Sequence, residues 1–322
     1  MRWPWSLRRP IESREYRVEM ATDPLDFTIA VLQPRAVRSK IVAGGGQWSI
    51  RKPRYADPSF SLILDGTCWF IPEGGDAVEL RAGDFLLLPE TPSFVLASDP
   101  DLAPTDTPLG ADDDAAYGDG AATMRMLGGY FQFDRANTAL IVQLLPAAIL
   151  IRRDDPGAAR LGRMVELIAE EAGERNRCRD LILERLVEVL LIEAWRFETE
   201  HGAVERGLLG GLADPALARV LRAIHADLAE QWTVEKLART AGMSRAVFAE
   251  RFSRTVGMPP MQYLTEWRVV RAKELMLGGK PSLSAVAGQV GYGSASAFSA
   301  AFTRVVGCSP AEFARRANRD RG

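Results

Sequence analysis

Histidine is scarce in this chain of 322 residues, which contains only His201 and His225. Neither histidine has a cysteine or a second histidine at ligand spacing, so the sequence offers no His-rich zinc or iron site. The sequence also lacks the GxSxG nucleophile elbow and the phosphate-binding P-loop. These absences argue against hydrolases, metalloenzymes and nucleotide-binding enzymes. We expect no catalytic residue, no metal and no cofactor.

Cysteine and long apolar runs are also rare. Cys68, Cys178 and Cys308 lie far apart and form no CxxC pair, so a disulfide framework is not expected. No apolar run approaches the length of about 18 residues that spans a bilayer. Residues 1–22 form a basic leader without the apolar centre of a signal peptide. We therefore expect a cytoplasmic protein with no membrane partner.

Charge is divided unevenly along the chain. The whole sequence has 40 basic and 42 acidic residues, but residues 214–322 hold 16 basic and 9 acidic ones. This division indicates a basic module that faces nucleic acid, joined to an acidic partner domain. Chance surface composition produces the same asymmetry, so a motif is needed to decide between the two.

The front of the chain, residues 23–150, has the pattern of many short strands. Turn signals such as Asp65-Gly66, which is typical of a hairpin, separate short apolar runs and predict a small sandwich or barrel. Residues 99–120 hold seven Asp and no Lys or Arg, which predicts a solvated acidic loop. The apolar runs are Phe27–Leu32, Trp48–Ile50, Phe60–Leu64, Cys68–Ile71, Phe85–Leu88, Phe94–Leu96 and, after the acidic loop, Met124–Phe133.

Residues 156–201 change to a helical period. We predict helices at about Ala158–Ala172 and Arg179–Glu200, the second apolar on most sides. Packing within the domain and a dimer interface explain this second helix equally well. Residues 202–213 contain four glycines, which predicts a linker. The candidate dimer residues are Leu183, Leu186, Leu190, Ala194 and Phe197.

The last third of the chain, residues 214–322, contains an internal repeat. Val234–Gly242 matches Leu283–Gly291 at an offset of 49, and beyond the glycine the offset becomes 50. Each unit combines a helix, a turn with glycine and a second helix, at about residues 233–257 and 282–307. This is the helix-turn-helix pattern. The later matches pair Phe248 with Phe298, Phe252 with Phe302, Arg254 with Arg304 and Pro260 with Pro310.

The paired phenylalanines are four residues apart, so we expect them to pack inward and leave the opposite side of each second helix open. Small and polar residues flanked by arginine suit a helix that enters a major groove. A basic segment, residues 259–279, joins the two units and includes Arg268. The DNA-binding candidates are Arg245, Ala246, Ala249, Glu250 and Arg254 in the first unit, and Ala295, Ser296, Ser299, Thr303 and Arg304 in the second.

This region resembles the AraC/XylS family of transcriptional regulators. The resemblance covers about residues 216–317 and rests on LARTAGMSRAVFAERFSRTVGMPPMQYLTEWRVVRAKELM and VGYGSASAFSAAFTRVVGCSPAEF. It implies seven helices, with two recognition helices lying in successive major grooves on one face of the DNA. By position, it directs Arg245, Ala246, Ala249, Glu250, Ala295, Ser296 and Ser299 to the bases, and it suits Arg254 and Arg304 to phosphates.

The side chains at these positions give a sharper hypothesis. Glu250 is an acceptor for a cytosine amino group, and Arg245 is a donor to guanine or phosphate. The second unit offers only small groups, which suit thymine methyls and close backbone approach. A salt bridge from Glu250 to a neighbouring arginine is the alternative.

Residues 80–89, LRAGDFLLLP, resemble the second cupin motif, in which five residues separate Gly83 from Pro89. Phe94 stands where the motif places a histidine and Thr91 replaces its second glycine, so we expect the barrel without the metal site. One branch of the same regulator family has such a cupin-type sensor half. Candidates for an effector pocket, which equally suit the barrel core, are Trp48, Phe60, Cys68, Trp69 and Phe94. Cys68 is a candidate oxidant sensor, but it has no neighbouring basic residue in sequence to lower its pKa, which favours a structural thiol. Cys308, near Arg304, is a second candidate.

The sequence therefore predicts an α+β protein: a cupin-like β-barrel with following helices, then an all-α domain with two helix-turn-helix units. The predicted function is sequence-specific regulation of transcription. The expected partners are double-stranded DNA, a small effector or oxidant, a second copy of the chain and, for an activator, RNA polymerase. The competing interpretations are a cupin enzyme fused to a DNA-binding module and a protein that binds DNA without sequence choice.

Overall fold

A computed structural model describes residues 23–32, 34–54, 57–106, 115–132, 144–174, 176–201, 206–279 and 281–319. The predicted basic leader and the middle of the acidic loop lie outside these ranges. Within them, the front of the chain folds into two sheets and associated helices, and the rear is helical.

Two facing sheets form the front domain. One has the strand order β11-β6-β3-β10-β1-β9 and the other β5-β4-β7-β2-β8. Neighbouring strands are antiparallel except for the pairs β1–β9 and β2–β8. The strands are β1 Arg35–Gly44, β2 Ser49–Lys52, β3 Ser59–Asp65, β4 Thr67–Pro72, β5 Val78–Arg81, β6 Phe85–Leu88, β7 Phe94–Ala97, β8 Thr105–Asp106, β9 Ala115–Tyr117, β10 Met124–Gln132 and β11 Ile149–Ile151.

Strand β6 shows how these sheets are covered on both sides. Its four residues are all buried. Leu86 and Leu88 belong to the cluster between the sheets, whereas Phe85 and Leu87 belong to the cluster shared with the helices. Because side chains alternate along a strand, an unbroken apolar run is what burial on both faces requires.

The structure corrects two local predictions in this domain. Asp65-Gly66 does not close a hairpin, because β3 and β4 belong to different sheets. Gly66 has a φ of 72°, and a Cβ there would lie 2.0 Å from the Thr123 carbonyl oxygen, so this corner between the sheets requires glycine. The predicted strand Phe27–Leu32 is instead part of helix α1, Pro24–Leu32, which Asp23 caps through the Leu25 amide.

Between the barrel and residue 214, the described residues form three helices. Helices α2, Ala159–Gly173, and α3, Arg179–His201, agree with the predicted helices and pack on the six-stranded sheet. Residues Gly207–Ala213 form α4, so the prediction of a linker over 202–213 is wrong for this part. The glycines serve close packing there: a Cβ on Gly211 would lie 3.0 Å from both Leu221 and Val256.

The rear of the chain forms seven helices over residues 215–319, the number implied by the family resemblance. Thr233, Ser244, Ser282 and Ser294 cap four of them through side-chain bonds to backbone amides. The predicted helix-turn-helix units are thus confirmed. The helices are α5 Pro215–Ala226, α6 Val234–Ala241, α7 Arg245–Val256, α8 Pro260–Leu277, α9 Leu283–Gln289, α10 Ala295–Val306 and α11 Pro310–Arg319.

The two units differ in how they are held. The apolar core of the first unit is continuous with that of the barrel helices, through α1, α3 and α4. The second unit has a smaller core of its own, built by α8, α9 and α10. The front domain therefore packs directly against the first unit and reaches the second through α8.

Candidate nucleic-acid interface

Buried phenylalanines set the orientation of α7 and α10. Phe248 and Phe252 in α7 and Phe298 and Phe302 in α10 are fully buried. Each pair is in ring contact, at centroid distances of 5.5 and 5.6 Å. The opposite face of each helix is consequently turned to solvent, as the repeat predicted.

The outer face of α7 carries most of the predicted polar residues. Arg245, Ala246, Glu250 and Arg254 are exposed, whereas Ala249 is half-buried. Arg245 forms an exposed ion pair with Glu235 of α6, at 3.1 Å between Nη1 and Oε1. In the described part of the chain, Glu250 has no ion pair with an arginine, so the alternative proposed for Glu250 is not formed there.

Val247 belongs to the same outer face and was missed by the sequence analysis. Its side chain is 54% exposed, and its backbone amide donates to the Ser244 cap at the start of α7. No assignment was made from sequence for this apolar residue beside Phe248. Its position one residue before a buried phenylalanine, about 100° away around the helix, was the available signal.

The outer face of α10 carries smaller side chains than the outer face of α7. Ser296, Thr303 and Arg304 are exposed, and Ala295 and Ser299 are half-buried. The Ser299 hydroxyl donates to the Ala295 carbonyl at 2.8 Å, so its proton is used within the helix. This face allows the backbone of α10 to approach a partner closely.

Arg268, part of the basic segment noted in the sequence, is buried and fixes the two units relative to one another. It is 9% exposed, and it donates from Nε to the Leu228 carbonyl at 2.7 Å and from Nη2 to the Glu230 carbonyl at 2.8 Å. Its guanidinium also lies over the ring of Tyr292, in the turn of the second unit. A buried arginine of α8 thus joins the loop before the first unit to the turn of the second.

A polar cleft of about 540 Å³ borders the outer face of α7. Within it, Asp214 caps α5 and accepts from Arg251 Nε at 2.8 Å. Burial acts to raise the pKa of Asp214, but the bonds from the Leu217 and Ala216 amides and from Arg251 outweigh it and lower that pKa. The cleft is lined by Gly210, Asp214, Val247, Glu250, Arg251, Arg254 and Thr255.

Family comparisons agree with this geometry. Residues 237–316 match a family model described as a helix-turn-helix domain, and residues 23–198 match one described as a cupin. An AraC-like transcription regulator of Streptomyces lividans is 35% identical over 296 residues, which cover 90% of this chain and 97% of the relative. The chain belongs to the AraC-like transcription regulators. A second such regulator, from Streptomyces antibioticus, is 34% identical over 90% of this chain and 98% of its own.

Among solved structures, the rear of this AraC-like regulator is similar to the DNA-binding domain of AdpA in complex with a target DNA. The identity is 39%, the match covers 34% of this chain and 99% of that one, and the TM-score is 0.32. The helix-turn-helix match and the two Streptomyces relatives make this chain a DNA-binding transcription regulator. No helix in the described ranges is long and apolar enough to cross a membrane.

The cupin half of the AraC-like regulator has a packed interior. Trp48, Cys68 and Phe94 meet in the cluster between the two sheets. The prediction of one five-residue pocket is wrong for Phe60, which faces the helices on the other side of its sheet. It is also wrong for Trp69, which alternates with the inward-facing Cys68 and is half-buried on the outer side.

The cupin motif positions do not fit a metal. The Phe94 ring packs against Phe70 at 5.4 Å, and Thr91 donates to the carbonyl of Asp57 at 2.8 Å and lies 2.8 Å from the Ser59 hydroxyl. Burial raises the pKa of the Cys68 thiol to about 12, which opposes thiolate formation. Cys308 is partly exposed.

Helix α3 is mostly committed to the interior of the regulator. Of the five candidate dimer residues, Leu183, Leu190, Ala194 and Phe197 are buried within the chain, and Leu186 is partly buried. Packing within the domain therefore accounts for them. The exposed apolar residues of α3 are Leu181, Ile182 and Val189.

Proposed function

We propose that this AraC-like regulator reads two successive major-groove segments with the outer faces of α7 and α10, and that a small effector in the cupin half controls this binding. The observation that carries the proposal is the pair of capped, outward-facing second helices fixed in one register through Arg268. A fixed register serves sequence or spacing recognition, whereas binding without sequence choice does not need it.

The first test is a footprint of the full-length protein on the DNA flanking its own gene at near-physiological salt. We expect a discrete protected segment of about two helical turns per subunit. Diffuse binding that disappears as salt rises, both with and without candidate effectors, would contradict sequence-specific regulation.

Within the first unit, we propose that Glu250 selects one base by accepting a hydrogen bond from a cytosine amino group. Glu250→Ala should then relax preference at one position of the binding site by about 1–3 kcal/mol, measured by selection from a randomised operator. Ala300, the counterpart of Glu250 in α10, provides the matched control variant Ala300→Gly. An unchanged base preference in Glu250→Ala would refute this role.

Effector control is supported by the packing of the front domain on the first unit. Phe27 of α1 lies 5.3 Å from the ring of His225 and 5.4 Å from that of Trp267, so α1 enters the core of the DNA-binding half. Helix α4 packs on α3 on one side and on α5 and α7 on the other. We propose that a change in the barrel reaches α7 through α1 and α4, rather than through a loose linker.

We further propose that the regulator acts in the cytoplasm as a homodimer and, where it activates, contacts RNA polymerase. The exposed residues Leu181, Ile182 and Val189 of α3 replace the buried set as the candidate dimer surface. Sedimentation of wild type and Val189→Asp tests this assignment, with Val189→Ala as the size control. A monomeric wild type would contradict it.

A further inference from the structure

Lys52 occupies an unusual place at the margin of the barrel interior. It is the last residue of β2, and its Cα pairs with that of the buried Phe94 on β7. Ile50, two residues earlier and on the same face, packs against the cluster between the sheets. The aliphatic stem of Lys52 therefore shares the inner face of the barrel rather than the solvent face, where Arg51 lies.

The partner of the Lys52 ammonium is an aromatic hydroxyl. Nζ donates to the Tyr117 hydroxyl at 2.7 Å and lies 5.2 Å from the centre of the same ring. Tyr117 is buried and contacts Trp48 at a centroid distance of 5.3 Å. Because Tyr117 belongs to β9 and Lys52 to β2, the bond crosses from one sheet to the other near their edge strands β8 and β9.

The charge of Lys52 has no acidic partner among the residues that the structure describes. The neighbouring ion pairs are Arg51 with Asp106 and Arg54 with Glu90, both on exposed side chains. Burial lowers the pKa of Lys52, which reflects a cation held partly out of water without compensation. An anion placed beside the ammonium would remove this penalty.

We propose that Lys52 and Tyr117 bind the acid group of the effector, a small monocarboxylate with an apolar or aromatic body. One ammonium and one hydroxyl supply two donors and a single positive charge, which match the two oxygens of one carboxylate. The Tyr117 hydroxyl accepts from Lys52 and retains its own proton to donate. Burial raises the pKa of Tyr117, so the hydroxyl keeps this proton at neutral pH.

The half-buried Ile50, on the same face of β2 as Lys52, provides the apolar contact for the body of such a ligand, because Trp48 and Tyr117 are themselves almost fully buried. This assignment rests on the proposed effector control and names the chemistry of the effector. It differs from the five-residue pocket predicted from sequence, since Lys52 and Tyr117 were absent from that set.

Calorimetric titration of the full-length protein tests the proposal with phenylacetate, benzoate and octanoate, each compared with its neutral amide. We expect the acids to bind and the amides to bind more weakly. Loss of one charge-assisted hydrogen bond predicts an affinity for the acid about 10- to 100-fold lower in Lys52→Met. Tyr117→Phe should lose less, and Arg54→Met, which removes an exposed cation two residues away, should bind as wild type does.

Three outcomes would overturn the assignment: acids and amides bind alike, Lys52→Met retains wild-type affinity, or none of the three acids binds. Circular dichroism of each variant confirms folding before the affinities are compared. A DNA footprint made with the same wild-type preparation shows whether the carboxylate site alone is wrong or the proposed DNA-binding function is wrong as well. A protein that gives a discrete footprint but binds no acid refutes only the carboxylate site.

Discussion

The sharpest consequence of the structure concerns Arg268, which connects two helix-turn-helix units from inside α8. Arg268→Met keeps much of the apolar stem and removes the guanidinium. The Leu228 and Glu230 carbonyls then lose their donors, and Tyr292 loses the cation above its ring. We expect a less stable protein whose two recognition helices are no longer held in one register.

The magnitude follows from the contacts. Two hydrogen bonds from a charged donor contribute about 1.5–3 kcal/mol each. Methionine no longer incurs the dehydration of a buried charge, and this returns part of the loss. The net expectation is a decrease of about 2–4 kcal/mol in the free energy of unfolding. The exposed Arg222 of α5 provides the matched control, since Arg222→Met should change stability by less than about 0.5 kcal/mol.

Two assays are needed because stability and register are separate properties. Urea unfolding, monitored by circular dichroism, measures the stability. The register of the two recognition helices is tested by the affinity of the protein for the footprinted operator and for the same operator with one base pair inserted between the two contacted segments. Wild type should discriminate strongly against the insertion, and Arg268→Met should discriminate less. Unchanged stability together with an unchanged insertion penalty would refute the argument.

Three further predictions concern buried groups. Burial lowers the pKa of His225 from 6.5 to about 3, so the unfolded chain binds more protons than the native one in this range. The free energy of unfolding should therefore fall by about 3 kcal/mol between pH 7 and pH 4, and urea titrations of His225→Phe should lack this contribution. Brief native labelling with iodoacetamide should modify the exposed Cys178 and spare the buried Cys68, and mass spectrometry that finds Cys68 modified first would contradict this. Gly211→Val should destabilise the protein by about 1–3 kcal/mol in denaturant titrations, because its side chain meets Leu221 and Val256. Gly162→Val, where a Cβ meets nothing within 4 Å, is the control and should not reproduce the loss.

The rear domain was the more predictable half because its signals are local. Serine caps, left-handed glycines and phenylalanines at a spacing of four each specify a helix end or a buried face, and their repetition at an offset of 50 removed ambiguity. The same local rules left Val247 out of the outer face, since an apolar residue beside a buried one gives no sign of its own exposure. The burial of Arg268 was not predicted, because nothing in sequence shows that distant carbonyls surround it.

In the front domain, the failures came from contacts between segments distant in sequence. The run Phe27–Leu32 is apolar enough for a strand, but its burial against His225 and Trp267 selects a helix. The glycines of α4 resemble those of a flexible linker, and only the neighbouring helices show that they permit close packing. Trp69 was grouped with Cys68 although adjacent residues of one strand point to opposite faces. Phe60 was grouped with them because sequence does not show which face of β3 lines the space between the sheets.

The continuous core between the barrel helices and the first unit limits how this protein can be divided. A cut at residues 213 and 214, where composition places a boundary, would remove the buried Leu208 and Leu209 from their places in that core. In a chimera that joins this cupin half to the DNA-binding half of a relative, α1 and α4 would pack against a first unit whose side chains differ from their present partners. On the proposed effector control, a change of effector specificity in this protein therefore calls for substitutions inside the barrel, because transplanting a whole half would also replace the surface that contacts α7.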